Sequence, residues 1–120
     1  MPVALVVDDE PLIRMDIADM VTEEGYEVIE AGSADEALTL LDVYHSLKLV
    51  VTDIQMPGQA DGLELARQVC ERRPEVCVIV ASGAATPTAD ELPETARFIG
   101  KPVTHAAIHR TISEICRATA

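Results

Sequence analysis

Four short stretches of this sequence carry residues able to do chemistry, each directly after an apolar run. "VVDDEP" holds Asp8, Asp9 and Glu10, "TDIQMPG" holds Asp53, "ASG" holds Ser82, and "GKP" holds Lys101. Carboxylates crowded together repel one another, and at least one has its pKa pushed up. A hard dication relieves that repulsion, and Mg2+ takes one or two carboxylates together with waters and phosphate oxygens. A lysine opposite the acids adds a point charge suited to phosphate. A carboxylate nucleophile, a metal, a lysine and a hydroxyl are the parts that move a phosphoryl group onto an oxygen. Asp53 stands centrally among them and is the candidate nucleophile.

This chemistry requires the four stretches to meet, so the intervening elements matter. "VALVV" (Val3–Val7) is a short apolar run, as expected of a strand buried on both faces. The next segment has Leu12, Ile13, Ile17, Met20 and Val21 at helical spacing, with Pro11 at its start and Gly25 just past its end. "YEVIEA" predicts a second strand. "SADEALTLLDVY" predicts a second helix, opened by a capping box of Ser33 and Glu36. "LKLVVT" predicts a third strand, and "DGLELARQVCERR" a third helix with Asp61 as its cap and Pro74 blocking its extension. "VCVIVAS" and "ARFIG" predict strands four and five. "THAAIHRTISEICRA" predicts a last helix capped by Thr104, with Ile108, Ile112, Ile115 and Cys116 along one stripe.

Alternating strands and helices with apolar strands imply a parallel sheet covered on both faces. The right-handed crossover rule leaves few topologies for five strands. The expectation is α/β: a flavodoxin-like, doubly wound, five-stranded sheet of order 2-1-3-4-5, with ligands at the carboxyl ends of the strands. Asp8–Glu10, Asp53, Ser82 and Lys101 then converge on one edge. Between strands four and five, "GAATPTADELPETA" has Pro87 and Pro93 bracketing barely one turn of chain, with Leu92 its one large apolar anchor. A short or irregular fourth helix is expected there.

The chain has 120 residues, 48% of them hydrophobic, which suits one domain over residues 1–120 with no output domain after it. No apolar run approaches the ~18 residues of a membrane span, and the N-terminus lacks the basic leader of a signal peptide. The expected setting is cytoplasmic, without a membrane partner. With 21 acids against 9 bases and a net charge of −12, the surface repels phosphate backbones, and nucleic-acid binding is not expected. Aromatic residues at 2% argue against base stacking or a flat ring cofactor. Cys70, Cys77 and Cys116 have no ligand-like spacing and are expected to be reduced, buried thiols.

The ordered set "VVDDEP", "TDIQMPG", "ASG" and "GKP" resembles the response-regulator receiver domains of two-component signalling, over essentially the whole chain. The resemblance implies that Asp53 accepts phosphate from a phosphohistidine on a histidine kinase or phosphotransfer protein. It implies Mg2+ held by Asp9, Asp53 and the backbone carbonyl of Gln55, with Asp8 reaching it through water. Lys101 would contact the phosphate, and the Lys101–Pro102 bond would be cis. Ser82, where threonine is commoner, would swing in to bond the phosphate. Phe98 stands where tyrosine is commoner and would move with Ser82, changing the face offered to a downstream protein target. The protein would catalyse only its own phosphorylation and dephosphorylation, as a monomer or weak dimer. It would be a stand-alone receiver or a piece of a longer regulator.

Plainer readings compete at single residues. Asp8, Asp9 and Glu10 also suit the N-terminus of a helix, whose dipole attracts anions. Ser82 suits a turn, Pro102 a helix start, and Phe98 a core position. His105 and His109, four apart on a helix, suit an exposed face, and His45 the end of a helix. Three other functions compete with the switch. A Mg2+-dependent phosphohydrolase of the haloacid-dehalogenase type needs a second acid two residues after its aspartyl nucleophile, where Gln55 stands. A receiver acting without phosphorylation is disfavoured by the full set of site residues. A flavodoxin would need a hydroxyl-rich phosphate loop where "DDEP" stands.

Overall fold

The computed structural model describes residues 2–54, 61–83, 87–88 and 90–117, with side chains as far as residue 115. Its order is β1 (Val3–Val7), α1 (Pro11–Glu23), β2 (Glu27–Ala31), α2 (Ala34–Val43), β3 (Leu47–Asp53), α3 (Gly62–Arg72), β4 (Cys77–Ser82), β5 (Ala96–Gly100) and α4 (His105–Ile112). All strand pairs are parallel, and the sheet order is β2-β1-β3-β4-β5. This is the expected flavodoxin-like arrangement.

Local chemistry explains the helix ends. Ser33 accepts the Glu36 N–H, while the Glu36 carboxylate reaches back to the Gly32 N–H, a reciprocal cap. Asp61 accepts the Glu64 N–H, and Thr104 accepts the Ala107 N–H. Gly25, at φ 98°, takes the left-handed conformation that ends α1. The last helix does not run on uniformly: from Ser113 to Arg117 it widens into a π-helical turn.

Two clusters flank the sheet. Ala34, Ala37 and Leu41 of α2 and Leu65, Ala66 and Val69 of α3 pack on Val3, Leu5, Val7, Val50 and Val78. Ile17, Ala18 and Val21 of α1 and Ile108 and Ile112 of α4 pack on Ala4, Val6, Leu49, Val51 and Ile79. The polar Lys48 inside a buried strand is accommodated by a register shift, since Val3 pairs with Leu47 but Ala4 with Leu49. The expected stripe of α1 is only partly buried. Leu12 is 77% exposed, and Ile13 and Met15 also face solvent.

Between β4 and β5 the described residues form turns and bends with no helix, in line with the expected short or irregular element. The Glu91 N–H donates to the Thr88 carbonyl, and the Glu91 carboxylate accepts the Thr88 N–H. Leu92 packs, half-buried, on the cluster beneath α2 and α3.

Candidate functional site

Strand register brings the reactive residues to one edge. β1 and β3 pair Val7 with Thr52, so Asp8 and Asp53 leave adjacent strands at the same level. β3 and β4 pair Asp53 with Ala81, and β4 and β5 pair Ser82 with Gly100. The Lys101 N–H then donates to the Ser82 carbonyl at 3.0 Å. The next peptide bond, Lys101–Pro102, is cis. Pro102 is not the first residue of a helix, because Thr104 caps α4 and His105 begins it.

Asp8 is fully buried, and both of its carboxylate oxygens have partners. Oδ1 accepts the Glu10 N–H at 2.9 Å, and Oδ2 accepts from Lys101 Nζ at 3.1 Å. The same ammonium lies 3.4 Å from Asp53 Oδ1. Asp9 is exposed. One carboxylate oxygen each from Asp8, Asp9 and Asp53 lies within 4.8 Å of the other two, the one such group of three metal-ligating side chains among the described residues.

Burial holds the Asp53 carboxyl above the usual carboxylate range; the Lys101 charge opposes this, while the Asp8 and Asp9 charges add to it. For Lys101, burial favours the neutral amine, but the hydrogen bond to Asp8 and the charges of Asp8 and Asp53 outweigh it and raise its pKa. The lysine therefore stays an ammonium, and one cation is shared between two acids with a third beside them. An all-oxygen donor set carrying surplus negative charge fits a hard dication such as Mg2+.

Asp8, Asp9, Asp53 and Lys101 thus come together as expected, and Ser82, buried at the end of β4, lies on the same edge. Phe98 sits lower, opposite Val80, half-buried against the cluster on the α2–α3 face. Gln55, with Pro57 and Gly58, lies outside the described residues. His105 and His109 are exposed, and each places Nδ1 2.9 Å from an acid at the C-terminal end of α1, Glu23 in its last turn and Glu24 at its cap respectively. His45 falls two residues beyond α2, where its carbonyl accepts from Arg73. Cys70 and Cys77 are half-buried rather than buried. They take up edge positions, Cys70 Sγ 3.1 Å from Thr95 Oγ1 and Cys77 Sγ 3.4 Å from the Ile115 carbonyl. The Cys116 side chain lies outside the described set.

Arg14 escaped the sequence reading. It donates to the Asp8 carbonyl at 3.0 Å and pairs with Glu30 at 2.9 Å, clasping the backbone that carries the two acids. Its one signal is that it is the only basic residue in α1.

Comparison with known proteins agrees with this geometry. The family model described as the response regulator receiver domain matches residues 4–113. The transcriptional regulatory protein PdtaR of Mycobacterium tuberculosis is 40% identical over 79 residues, which cover 65% of this chain and 38% of PdtaR. The sensor kinase CckA of Brucella abortus is 33% identical over 115 residues, 92% of this chain but 12% of CckA. The chain therefore spans well under half the length of these two relatives. Among solved structures, a response regulator receiver protein from Sinorhizobium medicae superposes with a TM-score of 0.89 at 26% identity, covering 99% of this chain and 97% of that one. The response regulator TrrA of Thermotoga maritima, solved in complex with Mg2+–BeF, gives 0.84 at 29% identity over 96% and 99% of the two chains. Fold, site and sequence point the same way, and the chain belongs to the response regulator receiver domain family of two-component systems.

Proposed function

We propose that this receiver is a phosphoacceptor switch in which Asp53 is the modified residue. The observation that carries the reading is the Asp53 carboxylate held 3.4 Å from Lys101 Nζ and grouped with Asp8 and Asp9. An Asp53 oxygen attacks the phosphorus of a phosphohistidine or a small acyl phosphate. The new O–P bond forms as the bond to the donor breaks, and the leaving imidazole or carboxylate departs with its electron pair. Lys101 meets the charge of the incoming phosphoryl oxygens. Asp8, Asp9 and Asp53, with the Gln55 carbonyl, would hold Mg2+, which when bound neutralises charge on the phosphoryl oxygens. TrrA, a relative of the same fold solved in complex with Mg2+–BeF, supports Mg2+ as the ion. Turnover is confined to the protein's own acyl phosphate.

The buried Ser82 hydroxyl at the strand edge is the group that reports the phosphate, and Phe98 on the neighbouring strand follows it by packing alone, because it lacks a hydroxyl. Exposed Leu12, Ile13 and Met15 on α1, beside the acids, support a protein donor, a histidine kinase or phosphotransfer protein, that docks over the site; a downstream protein is the output. Among the described residues no helix is long and apolar enough to cross a membrane, and we place the switch in the cytoplasm. Incubation with acetyl phosphate and Mg2+ tests the core of this reading. Intact mass should show one added phosphate in the wild type and none in Asp53→Asn; full labelling of that variant refutes it.

A further inference from the structure

Thr52 is buried next to the nucleophile yet has no place in the cluster just described. Its hydroxyl donates at 2.9 Å to the carbonyl of Asp53, the following residue. The same carbonyl also lies against Gly62, the first residue of α3. A Cβ at Gly62 would stand 1.8 Å from the Asp53 carbonyl oxygen, 2.7 Å from its carbon and 2.8 Å from Ile54 Cα. These are backbone atoms, which cannot swing aside as a side chain would. The remaining polar atom of the same peptide unit, the Ile54 N–H, donates to the Ala81 carbonyl at 3.1 Å, and the Gly62 N–H donates to the Ile54 carbonyl at 2.8 Å. The peptide between Asp53 and Ile54 is thus fixed at its oxygen, at its nitrogen and across its face. That peptide sets ψ of Asp53 and so the direction in which its carboxylate points.

We propose that Thr52 and Gly62 are positioning residues for the phosphoacceptor: they lock the Asp53–Ile54 peptide and aim the Asp53 carboxylate between Lys101 and the other two acids. The inference rests on the reading of Asp53 as the phosphoacceptor. Its leverage is steep, because a misplacement of about 1 Å costs on the order of 10²-fold in rate. Valine is close to threonine in shape but has no hydroxyl, whereas serine keeps the hydroxyl and loses the methyl group.

The test compares wild type, Thr52→Val, Thr52→Ser, Gly62→Ala and Asp53→Asn in the full chain. Each is phosphorylated with acetyl phosphate at saturating Mg2+ and followed by intact mass, with urea unfolding in the same buffer without metal. Thr52→Val and Gly62→Ala should each lose about tenfold or more in limiting rate constant, with the half-saturating acetyl phosphate concentration little changed. Thr52→Ser should recover most of the wild-type rate even where its stability is no better than that of Thr52→Val. Gly62→Ala risks unfolding, so the Thr52 pair decides the matter. A Thr52→Val that phosphorylates at the wild-type rate overturns the proposal, as does a Thr52→Ser as slow as Thr52→Val. A wild type that takes no phosphate, or an Asp53→Asn that still does, overturns the phosphoacceptor reading instead, and the controls report it separately.

Discussion

Lys101→Met removes the one cation shared by two acids while keeping most of the side chain's volume. Lys101 Nζ stands 3.1 Å from Asp8 Oδ2 and 3.4 Å from Asp53 Oδ1. At an effective dielectric constant of about 20, each contact has a gross Coulomb energy of roughly 5 kcal/mol. Desolvation cancels most of that, and losing one partner of a buried pair has a net cost of about 3–5 kcal/mol. The Lys101 side chain is 18% exposed, which points to the lower end, about 3 kcal/mol. For a domain of this size ~1 kcal/mol shifts Tm by roughly 4 °C, so the variant should melt about 12 °C below wild type in EDTA. Mg2+ should then stabilise the variant more than the wild type, because Lys101 no longer competes for the same carboxylates. The pH dependence has a definite sign. The Lys101 pKa is raised by folding, so its stabilisation is complete below the unfolded value of 10.5 and is lost as pH rises through the folded one. On the acid side, the part of the gap that comes from Asp53 should close as its carboxyl, whose pKa is raised by burial, takes up a proton. Scanning calorimetry with and without Mg2+ measures all of this. A variant melting within about 3 °C of wild type in EDTA, or one stabilised less by Mg2+, would refute the reasoning.

Asp9→Ala should leave the metal-free Tm nearly unchanged, within the ±0.5 kcal/mol or so typical of exposed positions, but abolish stabilisation by Mg2+; undiminished stabilisation removes Asp9 from the site. Asp53→Asn should be more stable than wild type in EDTA near neutral pH. Burial raises the folded pKa of Asp53, so its ionised form destabilises the fold in full above that pKa, and the penalty fades as pH falls to the unfolded value of 3.8. Urea unfolding across pH checks this, and a gap that widens on acidification contradicts it.

Much of the site was legible in the sequence because the fold links two local signals. A short apolar run marks a strand buried on both faces, and in a parallel sheet the residue ending each run lies on one edge. Asp8, Asp53, Ser82 and Lys101 could therefore be brought together from their positions alone. The caps at Ser33, Asp61 and Thr104 were readable for a similar reason, since each bonds a residue only three positions away. Pro87 and Pro93 likewise marked the crossover whose described residues form no helix. What depended on pairing between distant segments was hidden. The tolerance of Lys48 inside β3 comes from a register shift against β1. Leu12 and Met15 look like core residues by type, yet the sheet leaves room to cover only the Ile17–Val21 side of α1. Cys70 and Cys77 look buried by type, but each lies near the rim of the packing. Arg14 matters because the Asp8 carbonyl and Glu30 lie near it in space. Gly62 matters because α3 begins against the backbone of Asp53, and no sequence pattern says how closely two chain segments approach. Sequence periodicity determined which residues occupy which element and end; the tertiary structure decided which atoms touch, because contact depends on register and close approach between segments distant in the chain.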